Sequence, residues 1–141
     1  MDNTRQKEYQ SLAQTIRVEC ARMTNRGKSG HLGSMLSMAD ILSVLYTSIL
    51  RVDPRNPDWP DRDRFILSKG HAGAAVYAAL AEKGFFPKEW MDSYYLDDGM
   101  SGHISHHVPG VEFSTGSLGH GLPVAVGMAL VAKLSGMPSP A

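Results

Sequence analysis

One cysteine stands in the 141 residues, Cys20, so no internal disulfide can form and a reducing compartment suits the chain best. No apolar run approaches the ~18 residues that span a bilayer, which excludes a transmembrane helix. Charge of either sign is not in excess: 14 Lys and Arg balance 14 Asp and Glu. That balance argues against a role on nucleic acid or a membrane surface, where a basic surplus is expected. The amino terminus, Met1-Asp2-Asn3-Thr4-Arg5-Gln6-Lys7-Glu8, lacks the apolar core of a signal peptide, so the cytoplasm is the expected location. There are no repeats and no low-complexity tracts. What remains is ordinary globular composition, 43% apolar and 20% charged, in a chain long enough for one domain. A chain of this size buries roughly 70% of its unfolded surface, so a core is feasible.

Periodicity divides the chain into helices. From about Thr4 to Asn25, Leu12, Ile16, Cys20 and Met23 fall on one stripe of an amphipathic helix. Gly27 and Gly30 end it, with Arg26 and Lys28 at the negative end of its dipole. A second helix is expected from Ser37, where Ser37-Met38-Ala39-Asp40 resembles a capping box; Ile41, Val44, Leu45, Ile49 and Leu50 would form its buried side. Three prolines between Asp53 and Pro60 mark a loop. Arg64-Phe65-Ile66-Leu67 is a short apolar run that predicts a buried strand, followed by a turn and a helix from about His71 to Lys83 that closes at Gly84. Pro87 suits the first position of a short fourth helix carrying Trp90, Met91, Tyr94 and Tyr95. After an irregular stretch, a last helix runs from about Gly119 to Leu134. A strand-turn-helix unit belongs to a parallel sheet, and one strand cannot satisfy its own backbone. The fold class expected is therefore α/β, mostly helical, with the first strands of a parallel sheet.

Four glycine-rich turns could carry chemistry. Ser29-Gly30-His31-Leu32-Gly33-Ser34 joins the first two helices and brings backbone and an imidazole to one place. Ser68-Lys69-Gly70-His71-Ala72-Gly73 follows the strand and opens a helix, where free N–H groups favour an anion. Gly99 to His107 holds a His-x-x-His-His pattern that suggests a metal site at first sight, but the segment is a loop without a completed ligand set, and solvated histidines are the better reading. His103, beside Gly102, is a candidate for touching a polar substrate. Ser114-Thr115-Gly116-Ser117-Leu118-Gly119-His120-Gly121 opens an apolar helix; its spacing is not that of a dinucleotide fingerprint, which leaves a backbone loop able to hydrogen-bond a ring or phosphate. Each turn singly also reads as ordinary tight packing. Four in one short chain are harder to explain that way.

Taken together, Ser29-Gly30-His31-Leu32-Gly33, Asp63 through Ala72, and Ser114 through Gly121 resemble transketolase in order and spacing, from about residue 10 to 138. The likeness extends to split transketolases, whose amino-terminal half is a separate polypeptide. The resemblance implies an incomplete thiamine diphosphate-binding domain over residues 1–141. It implies that His71 contacts thiamine diphosphate near its phosphates and that Gly116, Ser117 and Leu118 lie against the cofactor. His31 and His103 would face a sugar phosphate and help proton transfers as catalytic residues. His120 stands where many family members have Gln. The implied reaction moves a two-carbon ketol unit from a ketose phosphate to an aldose phosphate, the cofactor carrying the hard chemistry and the protein supplying placement.

A divalent ion, Mg²⁺ or Ca²⁺, would bridge the diphosphate to protein oxygens. In the family its ligands follow the last helix in a Gly-Asp-Gly segment, whereas this chain reads Met137-Pro138-Ser139-Pro140-Ala141. The metal ligands are thus expected outside these residues, as is the glutamate that activates the cofactor. The chain alone is expected to be inactive and to pair with a carboxy-terminal transketolase subunit or segment, as a homodimer or heterotetramer. A non-catalytic interaction fragment of the same fold is an alternative. So is a related synthase acting on pyruvate and an aldose phosphate, or on dihydroxyacetone.

Overall fold

A computed structural model describes residues 3–136. Met1, Asp2 and the 137–141 tail lie outside the described residues.

The fold is assembled around one helix, Gly73–Lys83, that is buried along most of its length. Helix α1 spans Asn3–Arg26, and its expected stripe turns inward: Ile16, Cys20 and Met23 are buried and Leu12 packs against the core. Burial pushes the Cys20 thiol up to about 12, so this sulfur packs as an apolar group. A one-turn helix, α2 (Leu32–Leu36), follows, then α3 (Ala39–Val44), which widens into a π-helical turn over Leu45–Ile49. A 3₁₀ turn at Gly70–Ala72 leads into α4 (Gly73–Lys83), in which every residue from Gly73 to Ala81 is buried. Its run of alanines lets neighbouring elements approach closely on all sides. Helix α1, with α3, covers one part of it. Lys88–Ser93 forms a 3₁₀ helix, and α5 (Gly121–Leu134) closes the described chain.

Four expectations need correction. Residues 64–67 form no strand, nor does any segment among the described residues. They lie beside residues 111–115, joined through side chains rather than a backbone ladder: Arg62 and Arg64 reach Glu112, and Thr115 Oγ1 donates to the Leu67 carbonyl. An apolar run becomes a strand only when a partner supplies the ladder. Secondly, no capping box starts the second helix: Met38 is the N-cap residue without a side-chain bond, and Ser37 Oγ donates instead to the Ser34 carbonyl at 2.8 Å. Its inner face is Ala39, Leu42, Ser43 and Tyr46, whereas Ile41 and Ile49 are more than half exposed. Thirdly, the fourth helix is 3₁₀ and Pro87 precedes it as the N-cap residue. Lastly, α5 begins at Gly121, because residues 117–120 form a separate turn closed by His120 N–H donating to the Ser117 carbonyl.

Two ion pairs fasten the segment around residues 62–63 to its neighbours. Arg62 grips Glu112 through two parallel bonds, Nε to Oε1 and Nη2 to Oε2, each 2.8 Å, with both side chains largely buried. Asp63, 3% exposed, accepts from the Arg51 backbone N–H at 2.8 Å and from Arg51 Nη2 at 2.9 Å. Replacing Glu112 with Ala leaves the largely buried Arg62 without its carboxylate, holding only the Trp59 carbonyl. The expected loss is about 3 kcal/mol of unfolding free energy, read from the midpoint of a urea titration of E112A against the unchanged chain.

Candidate functional site

The four glycine-rich turns meet at one place, and the turn Ser68-Lys69-Gly70 is where they meet. Ile104 N–H donates to the Gly70 carbonyl at 2.9 Å, which ties in the segment carrying His103. Gly121 N–H donates to Ser68 Oγ at 3.2 Å, which ties in the start of α5. Lys69 Nζ donates to the Ser34 carbonyl and to Ser37 Oγ, each at 2.9 Å, which ties in α2. The approach is close enough to demand glycine. A Cβ on Gly70 would sit 2.2 Å from the Thr115 carbonyl oxygen, and one on Gly73 would sit 2.6 Å from Ile104 N.

The imidazoles gather as a result. The rings of His31 and His71 lie 5.1 Å apart, and those of His31 and His103 lie 5.8 Å apart. His31 is the N-cap residue of α2 and has φ 69°, a left-handed conformation that a non-glycine residue adopts at some cost. His71 sits in the 3₁₀ turn before α4. His103 is fixed through its backbone: Tyr77 hydroxyl donates to its carbonyl at 2.8 Å, and Tyr94 hydroxyl donates to the Gly102 carbonyl at 3.1 Å. Both phenols are essentially inaccessible, and burial raises their pKa values, so they stay donors. The backbone at Gly116 approaches the same group, since a Cβ there would lie 3.8 Å from His103 Cδ2. Ser117 and Leu118 follow it on the exposed side, with Leu118 75% accessible.

The remaining histidines make other contacts. His106 Nδ1 shares a hydrogen with Ser114 Oγ at 2.7 Å and stacks on His107 at 4.2 Å. The His120 ring packs edge-on against Phe113 at 5.5 Å. Among the described residues no group of three or more His, Cys, Asp or Glu side chains is arranged to hold a metal ion. Sequence reasoning missed Lys69, Tyr77 and Tyr94. Their hydrogen bonds reach 8 to 35 residues away, which no local pattern announces.

Electrostatics favour an anion or a neutral polar group here. The His71 pKa is lowered, first by burial and then by the charges of His31, Lys69 and His103. Among the described residues the charges that act on it are those of His31, Lys69 and His103, so the donor set suits a diphosphate, with the uncapped amino end of α4 adjoining. A lowered pKa favours the neutral imidazole, which donates from one nitrogen while accepting at the other.

The helical architecture of the described residues is that of part of a transketolase-type thiamine diphosphate-binding domain. Transketolase from Campylobacter jejuni superposes with a TM-score of 0.84 at 38% identity, over 94% of this chain and 21% of that one. Transketolase from Leishmania mexicana gives 0.82 at 38%, over 86% and 19%. The chain belongs to the transketolase family: the family model described as "Transketolase, thiamine diphosphate binding domain" matches residues 8–137. Among its relatives, an apulose-4-phosphate transketolase subunit from Actinobacillus succinogenes is 44% identical over 132 residues, covering 92% of this chain and 48% of that protein. The 6-deoxy-6-sulfo-D-fructose transketolase subunit SqwG from a Clostridium species is 41% identical over 136 residues, covering 95% and 50%. The chain thus spans about half the length of these curated relatives.

In a proton NMR titration His71 should show a midpoint below the ordinary value of about 6.5. The sign follows from the depressed folded-state value: its contribution to stability is present above the unfolded pKa and is lost as pH falls towards the folded one. Replacing His31 with Ala removes one of the charges responsible and should move the midpoint upward.

Proposed function

We propose that this chain is the amino-terminal part of a transketolase and forms one wall of the site for thiamine diphosphate and a sugar phosphate. The observation that carries the reading is the meeting of His31, His71 and His103 beside Gly116, on the exposed side of one family-matched domain. His71, neutral and next to the amino end of α4, donates a hydrogen bond to a phosphate oxygen of the cofactor. Backbone groups of Gly116, Ser117 and Leu118 lie along it. His31 and His103 face the sugar, hold its hydroxyls and take or return their protons. When bound, thiamine diphosphate supplies the carbon nucleophile and electron sink that a ketol transfer requires. The reaction class is transfer of a two-carbon ketol unit from a ketose phosphate to an aldose phosphate. The relatives differ in the sugars they are named for, so the particular pair stays open within that class.

The wall needs completion. Leu122, Val126, Leu130, Val131 and Leu134 on α5 are each more than half exposed, which supports coverage by a carboxy-terminal segment or subunit. Mg²⁺ or Ca²⁺, if used, takes its ligands from that further part, and the complete assembly is a homodimer or heterotetramer. The cytoplasm suits a chain whose lone cysteine is a buried thiol.

Two measurements test the reading. The 141-residue chain mixed with thiamine diphosphate, Mg²⁺ and pentose phosphates should show no turnover; turnover without an added partner overturns the need for completion. Once a carboxy-terminal partner restores activity, H71A should weaken cofactor binding about tenfold or more, the scale of a lost hydrogen bond to a charged group. Unchanged cofactor affinity in H71A would sink the assignment.

A further inference from the structure

Helix α2 has only five residues, too few to hold itself together in water. Its amino end is His31 in a left-handed conformation that would relax if the helix were released. It has no side-chain cap at that end, and Met35 is its one buried residue. Its other end is closed by Ser37, whose N–H donates to the Gly33 carbonyl and whose hydroxyl donates to the Ser34 carbonyl, and is tied to the rest of the fold by Lys69. The ammonium donates at 2.9 Å to the Ser34 carbonyl, which faces the carboxyl end of α2, and at 2.9 Å to Ser37 Oγ just beyond it. A cation there also suits the negative end of the helix. The same residue's backbone carbonyl accepts from Ala72 N–H at 2.9 Å, which closes the turn that carries His71. Lys69 therefore touches both turns that bring His31 and His71 to a ring separation of 5.1 Å.

We propose that Lys69 is a positioning residue, whose ammonium clamps α2 onto the His71 turn and thereby fixes His31 opposite His71. Its consequence for the cofactor rests on the thiamine diphosphate reading; its consequence for geometry does not. The groups facing His71 are His31 from the α2 turn, His103 from the loop after Gly102, and Lys69 from its own turn. Their spacing is what the clamp maintains.

The full 141-residue chain and its K69M, K69R and S37A variants separate the possibilities. Met keeps the length of the side chain without its donors, Arg keeps charge and donors, and S37A removes one acceptor while the charge stays. Nuclear Overhauser contacts between the His31 and His71 rings should disappear in K69M, weaken in S37A and persist in K69R. The His71 titration midpoint should rise in K69M and stay in place in K69R. A residue serving only general stability would shift the unfolding midpoint and leave both ring signals unchanged below it. Ring contacts that persist in K69M overturn the proposal. Ring contacts that respond as stated, in a chain that fails to bind thiamine diphosphate even with its partner, uphold the clamp and overturn the cofactor reading.

Discussion

The geometry of the site depends on how little room there is around the turn Ser68-Lys69-Gly70. Three other turns are bound to it, by the Gly70 carbonyl, the Ser68 hydroxyl and the Lys69 ammonium. The backbone of Thr115 comes so near that no Cβ fits on Gly70. The contacts are short, directional and drawn from one three-residue turn. Displacing that turn would therefore move His31, His103 and the Gly116 loop at once. Catalytic constellations need that kind of rigidity, because small misplacements are costly in rate.

Next to the turn, α4 supplies a closely packed, buried base. Its small side chains allow α1 to lie close, and the phenol of Tyr77, from within α4, reaches up to the His103 carbonyl. Core and site are thus joined through a single buried helix. The ion pairs of Arg62 with Glu112 and Arg51 with Asp63 do a different job. They tie together segments that carry no ladder of their own, and Thr115 brings one of those segments to the site. Burying charges is costly, and here each carboxylate is matched by at least two donors, which offsets the desolvation.

What was legible in the sequence was whatever depends on near neighbours. The stripe of Ile16, Cys20 and Met23 follows from helical spacing alone, and the end of α4 at Gly84 follows from glycine's freedom at positive φ. The turns holding His31, His71, His103 and Gly116 announced themselves because glycine flanking histidine is a local pattern. The inner face of α3 was not legible. With apolar residues almost all round, Ile41 and Leu42 are equal candidates until a neighbour selects one, and the widened turn at Leu45–Ile49 changes which side faces in. Residues 64–67 failed as a strand for a related reason: strand identity belongs to a pair of segments, and no second segment supplies a ladder among the described residues. Lys69, Tyr77 and Tyr94 act across the fold, so their types were visible and their tasks were not.

Helices α4 and α5 carry the same message in opposite surroundings. Both are apolar almost throughout, yet α4 is sealed while Leu122, Val126, Leu130, Val131 and Leu134 of α5 face outward. Covering one such side chain from full exposure contributes about 1.5–3 kcal/mol, and each of these five still exposes between 54% and 77% of its surface, so together they offer several kcal/mol of driving force. A helix patterned like α4 is suited to an interior, and composition alone cannot distinguish an interior supplied by its own domain from one supplied by another chain. The two cases make different physical demands. Cover from the same chain is present whenever the chain folds, whereas cover from a separate polypeptide comes at the cost of association and varies with concentration. Because α5 begins at the Gly121 that is bound to Ser68, whatever covers it also loads the turn on which the histidines depend. The start of α5 and the turn on which the histidines depend are therefore joined directly, by this hydrogen bond and by the close approach of Gly121 to the Ser68 backbone.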